Sequence, residues 1–302
     1  MTLGTRSSGL GRLVFVFAMM VAIAAASAGS VTAEEEPGRS FLWRAVLGDR
    51  SIYFLGSIHF MKGDAYPLST AIENAYATSE LVVFETDIEG LSRAATSLMA
   101  AGTFEGETTL ADVISEELHA DVAGRLEGVG MSIDGFERTR PWMLALSLTS
   151  MELMRAGYLG SEGIDAHFSA RAKKDGKDRR GLESIEYQVS LFAELSNEDG
   201  ESFLRYTLED LDSVIPLVDD LVSAWKRGDA GRIEELLVEG FNEYEAVFNR
   251  FVVQRNHQWM TVVEELFRGK TDAMVVVGAL HLVGEQGLVE LLRAKGYEVE
   301  QL

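Results

Sequence analysis

The pattern of apolar and polar positions along this chain changes its period several times. Residues 41–47, 51–55 and 81–84 are short apolar or alternating runs bounded by turn residues, a pattern that predicts three strands near the N-terminal end. Between the second and third runs, residues 71–78 follow Pro67 and Ser69 and carry the signals of a helix start. A strand, a helix and a strand in close succession indicate a parallel crossover.

From about residue 90 to about 267 the apolar residues recur at helical spacing. The predicted helices cover residues 91–101, 110–126, 141–155, 165–174 and 185–195, and a long acidic stretch over 199–267. Pro216 and Gly228-Asp229 are expected to break that stretch, and residues 177–182 are a weaker strand candidate. The strand pattern returns at 273–277, and a helix at 285–295 and a strand at 297–299 follow.

These elements predict an α/β (α+β) fold with a central sheet built from both ends of the chain. We expect one domain over residues 40–302, with a large helical insertion at about 90–267. Similar strand, turn and helix patterns at the two ends also suggest a diverged duplication.

The composition of the chain limits the class of partner it can bind and the types of catalytic and metal-binding residue it can use. The formal net charge of -21 and the lack of a Lys/Arg-rich run argue against a nucleic-acid partner, because neutralising phosphates requires a basic surface. The chain has no cysteine, which excludes disulfides, thiolate metal sites and a cysteine nucleophile. Composition gives no nucleic-acid partner and does not itself identify a substrate; a peptide or small-molecule substrate is expected from the family resemblance described below.

The N-terminal residues have the character of a targeting segment. Arg6 and Arg12 precede the uncharged, largely apolar residues 13–26, and small residues follow. This pattern predicts a secretory signal peptide over residues 1–33 and a periplasmic or secreted domain. The alternative is an uncleaved N-terminal anchor, although the apolar run is short against the about 20 residues that span a bilayer. Membrane contact is expected only in that case.

Two predicted strands end in the same four-residue pattern, Gly-x-x-His. Residues 51–55 run into Gly56-Ser57-Ile58-His59, and residues 273–277 run into Gly278-Ala279-Leu280-His281. Each glycine is interpreted as a tight turn at a strand exit, which is where open α/β sheets bind ligands. The chain has only five histidines, and two in matched positions suggest one site built from two distant segments. Ordinary structural histidines remain the alternative on these residues alone.

Carboxylates follow two other predicted strands. Glu85 ends the strand at 81–84, which we expect to lie beside the strand of His59, and Glu183 follows the weak candidate at 177–182. Asp87 is expected to point to the same side as Glu85 if that strand continues. Two imidazoles and a carboxylate can form an open metal site. The spacing alone does not identify a metal, and HExxH is absent.

Other polar residues on predicted helices have two interpretations. Arg255 and Asn256 could orient a substrate carbonyl or carboxylate, or form an ordinary pair on a helix surface. His119 is most simply a solvated residue, and His167 and His257 are expected to be structural.

At these residues the chain resembles the TraB/GumN family, which includes the Tiki proteins. The resemblance spans most of the chain beyond the N-terminal segment, and its motifs occur in order. They are Leu42-Trp43-Arg44, Tyr53-Phe54-Leu55-Gly56-Ser57-Ile58-His59, Tyr66-Pro67-Leu68, Val82-Val83-Phe84-Glu85-Thr86-Asp87, Arg140-Pro141-Trp142, Gly163-Ile164-Asp165, Gly181-Leu182-Glu183, Gln188, Arg255-Asn256 and Val277-Gly278-Ala279-Leu280-His281-Leu282-Val283-Gly284.

The resemblance implies a metal-dependent hydrolase, since Tiki-type members are membrane-tethered metalloproteases that use two Gly-x-x-His motifs and a glutamate. It implies that His59, His281 and Glu85 bind a divalent metal ion (Mn, Co or Zn). Glu85 or Glu183 would act as general base, and the secondary catalytic candidates are Glu183, Arg255 and Asn256.

The family is also related to erythromycin-esterase-like and haem-uptake (ChaN-like) folds, so the fold alone does not settle the activity. Ser57 stands where family members commonly have Thr, and the chain has the form of secreted bacterial members rather than of tethered animal ones. Protease activity is therefore not inherited automatically. We expect a secreted metal-dependent hydrolase, most simply a peptidase. The alternative is a non-enzymatic envelope protein that binds a metal, haem or a small ligand.

Overall fold

A computed structural model of the chain describes residues 39–86, 91–238 and 245–302, without the side chains of 91–95. The predicted signal peptide and Asp87 lie outside the described residues. Within the described ranges, no helix has both the length and the apolar character needed to cross a membrane.

Six strands form one mixed sheet in the order β4-β3-β5-β2-β1-β6. Their bounds are β1 Leu42–Leu47, β2 Arg50–Ser57, β3 Leu81–Thr86, β4 Asp178–Glu183, β5 Ala273–Gly278 and β6 Glu298–Gln301. The α-helices of the described ranges are α1 Thr70–Thr78, α2 Leu91–Ala101, α3 Glu116–Gly128, α4 Pro141–Arg155, α5 Ile164–Asp175, α6 Ile185–Ala193, α7 Asn197–Asp210, α8 Val214–Lys226, α9 Ala230–Leu237, α10 Glu245–Phe248, α11 Gln254–Arg268 and α12 Leu288–Ala294. A π-helical turn at Asn249–Val253 precedes α11, and a 3-10 turn at Ala279–His281 follows β5.

The α/β fold predicted from the sequence is confirmed, with strands from both ends of the chain in one sheet. Strands β2, β5, β3 and β4 are parallel, whereas β1 is antiparallel to both β2 and β6. The weak strand candidate at 177–182 is β4, which pairs with β3 at the sheet edge. One strand of the sheet therefore comes from within the region predicted as the helical insertion.

Strand β5 lies between β2 and β3, with Ser57 opposite Gly278 and Phe84 opposite Val276. The expectation that the strands of His59 and Glu85 are neighbours is therefore wrong. Five consecutive buried residues, from Ala273 to Val277, suit β5 for the interior of the sheet, where both faces are covered. The C-terminal ends of all four parallel strands still meet at one edge.

Helix boundaries follow local capping chemistry. Helix α4 has the predicted bounds 141–155 and begins with Pro141 in its first turn. The predicted helix at 110–126 is interrupted because Ser115 caps α3, its hydroxyl accepting from the N–H of Leu118. The break expected at Pro216 lies just before it, at the 3-10 turn Leu211–Ser213 that separates α7 from α8. Pro216 itself lies in the first turn of α8, where its missing N–H needs no partner. The expected break at Gly228-Asp229 does separate α8 from α9.

Candidate functional site

Three side chains predicted from the sequence surround one backbone position at the end of β5. A Cβ built on Gly278 would lie 3.1 Å from Glu85 Oε1, 3.6 Å from His281 Cδ2 and 4.0 Å from His59 Nε2. Glu85 reaches across from β3, and its Oε1 accepts a hydrogen bond from the N–H of Gly278 at 2.7 Å. The two Gly-x-x-His segments and Glu85 therefore meet at Gly278.

The glycines of these segments are not tight turns, so that part of the prediction is wrong. Gly278 has an ordinary φ of -50° and closes β5, and Gly56 lies within β2. Gly56 instead has no room for a side chain, and Gly278 has little. A Cβ on Gly56 would lie 2.2 Å from a ring carbon of Phe41, and one on Gly278 would crowd Glu85.

Arg255 lies at the centre of the site and is fully buried. Its Nη2 donates to Glu85 Oε2 at 2.6 Å and to Glu183 Oε1 at 2.7 Å, and its Nε donates to Glu183 Oε1 at 3.1 Å. Its Nη1 donates to the carbonyl oxygen of Phe251, one turn earlier, at 3.1 Å. The first turn of α11 thus places a permanent cation between the carboxylates that end β3 and β4.

Glu183 accepts hydrogen bonds from Arg255 and from Trp259. Besides Arg255, the indole Nε1 of Trp259 donates to its Oε2 at 2.8 Å. The pKa of Glu183 is raised above its usual value because the carboxyl group is buried. The charge of Arg255 and the hydrogen bonds from Arg255 and Trp259 lower the pKa but do not offset burial. The hydrogen bonds donated by Arg255 and Trp259 stabilise the charged form of Glu183.

His281 is held at both ring nitrogens. Nδ1 lies 2.7 Å from Asn256 Oδ1, and Nε2 lies 3.1 Å from Arg255 Nη1. A guanidinium can only donate, so Nε2 is the acceptor and the ring proton resides on Nδ1, where it is donated to Asn256. The amide nitrogen of Asn256 donates to the carbonyl oxygen of Gln286 at 2.7 Å, which fixes the direction of the amide.

His59 has a different environment. Its Nδ1 lies 2.9 Å from Oδ1 of Asp165 at the start of α5, an ion-pair contact. The two atoms are not aligned as a hydrogen bond, and neither has another hydrogen-bond partner among the described residues. Nε2 of His59 lies on the Gly278 side of the ring, 4.0 Å from a Cβ built on Gly278.

The two histidines consequently differ in proton affinity. Burial lowers the pKa of His59, but the neighbouring Asp165 carboxylate outweighs burial and raises it above the usual value. Burial and the adjacent Arg255 cation together lower the pKa of His281 to about 3. Burial raises the pKa of Glu85, but Arg255 outweighs it and lowers the pKa to about 2. At neutral pH, Glu85 is therefore ionised and His281 is neutral, whereas the pKa of His59 lies above its usual value.

Exposure increases from one side of the site to the other. The side chains of Arg255 and His281 are 0% and 2% exposed, and those of His59 and Asp165 are 9% and 22% exposed. Of these four side chains, those of His59 and Asp165 are the more accessible.

The residues in this arrangement do not fit the metal centre that the family resemblance implies. Both ring nitrogens of His281 and both oxygens of Glu85 already have hydrogen-bond partners. The Arg255 guanidinium also opposes the approach of a divalent cation to His281. Within the described part of the chain, no three His, Asp or Glu side chains are grouped so that they could hold a metal ion. Metal binding by His59, His281 and Glu85 stays a prediction.

Sequence reasoning missed several members of the site. Asp165 was noticed only within the Gly163-Ile164-Asp165 motif, and nothing in its spacing pointed to His59. Gln188, whose Nε2 lies 3.4 Å from Glu85 Oε2, was likewise noticed only as part of the resemblance. Nothing in the sequence indicated that Trp259 belongs to the site, since a tryptophan on a helix usually packs in the hydrophobic core.

Comparison with known proteins places this site in a family. A model of the TraB/PrgY/gumN family matches residues 41–301. The chain is 25% identical over 260 residues to the uncharacterized protein YbaP of Escherichia coli (strain K12), covering 85% of this chain and 94% of YbaP. It has the same identity and coverage with YbaP of Shigella flexneri. No solved structure matches the chain. Because the family model covers nearly the whole described domain, the chain belongs to the TraB/PrgY/gumN family.

Proposed function

We propose that this protein is a hydrolase in which His59 carries out the proton transfers, with a peptide bond or a related acyl bond as its substrate. The observation that supports this most is the contrast between the two Gly-x-x-His histidines. Both are buried beside Glu85, yet one is held next to a carboxylate and the other next to a guanidinium. Environments that separate the proton affinities of paired groups are typical of acid–base sites.

His59 has the position that proton transfer requires. Its ring reaches from Asp165 on one side to the Gly278 position on the other, and it lies toward the more accessible side of the site. As imidazolium it can donate a proton to a leaving group, and as neutral imidazole it can remove a proton from water through Nε2. The ionised Glu85 stabilises the imidazolium form.

Arg255, Glu183 and His281 have a supporting role in this proposal. Their side chains are 0%, 5% and 2% exposed, against 9% for His59, and their hydrogen-bonding groups are directed toward one another. Arg255 holds the carboxylate of Glu85 in place and keeps it ionised, and Glu183 and His281 in turn fix Arg255. The fixed charge of Glu85 stabilises the imidazolium that forms when His59 accepts a proton.

The peptide substrate and the location of the activity rest on the sequence. The resemblance to Tiki-type proteins suggests a peptide bond, and the signal-like residues 1–33 suggest a periplasmic or secreted enzyme. The name printed for the relatives states no activity.

The test is a cleavage assay on purified protein with a peptide library and a panel of acyl esters, followed by mass spectrometry. We expect His59→Gln to lower the rate by about 100-fold or more, the usual contribution of an acid–base residue. His257→Gln is the matched control, because His257 is an exposed histidine on α11 and should leave the rate unchanged.

Two results would reject the proposal. One is full activity in His59→Gln. The other is the absence of turnover together with a ligand retained through purification, which would favour a binding protein. The assay is repeated after chelation and after addition of Mn²⁺ or Co²⁺, alongside elemental analysis. Activity that requires the added metal would show that the working site differs from the arrangement described above.

A further inference from the structure

We propose that Asp165 is the positioning residue of His59, holding Nδ1 so that Nε2 faces the point at Gly278 where His59, Glu85 and His281 meet. This inference rests on the proposed function only in assuming that His59 transfers a proton. The contacts between Asp165 and His59 from which the inference is drawn do not depend on any activity.

The two Gly-x-x-His histidines are held in the same way. In each, Nδ1 lies against a side-chain oxygen from the first turn of a helix: Asp165 Oδ1 on α5 at 2.9 Å and Asn256 Oδ1 on α11 at 2.7 Å. In each, the opposite edge of the ring lies beside the position of a Gly278 Cβ. The difference is chemical, because Asp165 offers a charged oxygen whereas Asn256 offers a neutral one.

Backbone contacts bring the segment of His59 against the start of α5. The N–H of Ile164 donates to the carbonyl oxygen of Ile58 at 3.0 Å. Met61 and Leu159 exchange two backbone hydrogen bonds, at 3.2 and 2.9 Å. The hydroxyl of Tyr66 donates to the carbonyl oxygen of Glu162 at 2.7 Å. These hydrogen bonds join the segment of His59 to the start of α5, so that Asp165 lies against His59.

Gly163 makes this approach possible. A Cβ at residue 163 would lie 2.3 Å from the carbonyl oxygen of His59 and 2.8 Å from its carbonyl carbon. Its φ of -59° is accessible to any residue, so the requirement is for space and not for backbone freedom. Both obstructing atoms belong to the backbone and cannot move aside as a side chain would. Any larger residue must therefore separate His59 from the start of α5.

The His59–Asp165 contact is close but unaligned. Both atoms are buried, and a buried polar atom without a hydrogen bond is costly, so a small rotation that aligns them is favourable. Catalytic hydrogen bonds are often poorly aligned before the substrate is bound.

The test uses ¹⁵N NMR of the imidazole nitrogens in the purified protein, at a pH high enough to deprotonate His59. The His59 signals are assigned by comparison with His59→Gln. In the parent protein we expect the proton on Nδ1, donated to Asp165. In Asp165→Ala and in Gly163→Ala we expect the proton to move largely to Nε2, the tautomer that a free imidazole prefers in water. Asp121→Ala and Gly124→Ala are the matched controls, since Asp121 is exposed on α3 and a Cβ on Gly124 would meet nothing within 4 Å.

An unchanged His59 tautomer in both Asp165→Ala and Gly163→Ala would overturn the inference. Asp165→Asn provides a further test, and the only one needed if the alanine variants do not fold. Its amide oxygen can accept from Nδ1 as Asn256 does for His281, so we expect the tautomer to be kept. A His59 proton found on Nε2 in Asp165→Asn would also overturn it. A tautomer shift in a protein without hydrolytic activity would support the inference and reject the proposed function.

Discussion

Arg255 Nη1 lies 3.1 Å from His281 Nε2, and since a guanidinium only donates, this contact holds the imidazole in its neutral form. The same guanidinium binds Glu85 and Glu183 through its other nitrogens. One buried cation therefore determines the charge of three neighbours. The consequences for stability can be measured without knowledge of the substrate.

Removing the Arg255 charge should destabilise the fold strongly. Arg255→Met fills a similar volume but leaves Glu85 and Glu183 buried without a cation. We expect the free energy of unfolding to fall by about 3–5 kcal/mol, the usual cost of breaking a buried ion pair by removing one partner. Urea unfolding monitored by circular dichroism measures this loss.

Arg155→Met is the control. The Arg155 side chain is 62% exposed and pairs with Glu152 on the surface, so the substitution should lower the free energy of unfolding by less than about 1 kcal/mol. Similar losses in the two variants would contradict the central role of Arg255.

The protein should lose stability in acid through Glu85. Its pKa falls from 4.5 to about 2 on folding, so its contribution is complete above pH 4.5 and is lost as the pH falls toward 2. Linkage gives a contribution of about 3 kcal/mol. In Glu85→Gln we expect lower stability at pH 7 but a flatter dependence between pH 5 and pH 3. Urea midpoints at several pH values give both curves, and parallel curves for the two proteins would contradict the assignment.

His281 should remain neutral through the physiological range. Burial and Arg255 lower its pKa to about 3, whereas the contact with Asp165 raises that of His59. In an NMR titration from pH 8 to pH 5, we expect the His281 ring signals to stay constant while those of His59 move. Titration of His281 within this range would show that Arg255 does not occupy its Nε2.

The sequence predicted the strands that carry the site, because short apolar runs bounded by turn residues mark β2, β3 and β5. It also singled out His59, Glu85, His281, Arg255, Glu183 and Asn256, whose side chains lie together. It did not predict that β5 separates β2 from β3, since strand order depends on contacts between distant segments. The Asp165 contact was beyond sequence reasoning for the same reason. The close approach to His59 depends on Gly163, and a glycine in a loop does not show which backbone it faces.

A methyl group at Gly278 should impair activity more than stability. In Gly278→Ala the added Cβ would lie 3.1 Å from Glu85 Oε1, so the carboxylate must shift by a few tenths of an ångström within the site. The φ of -50° is ordinary, so the backbone is not strained. We expect the free energy of unfolding to change by about 1 kcal/mol or less, in the range of mild overpacking. Under the proposed function, the cleavage rate should fall by about tenfold or more, because small displacements of catalytic groups are costly. Gly124→Ala is the matched glycine control for both measurements. A rate equal to that of the parent protein would show that the reacting atoms do not meet at Gly278.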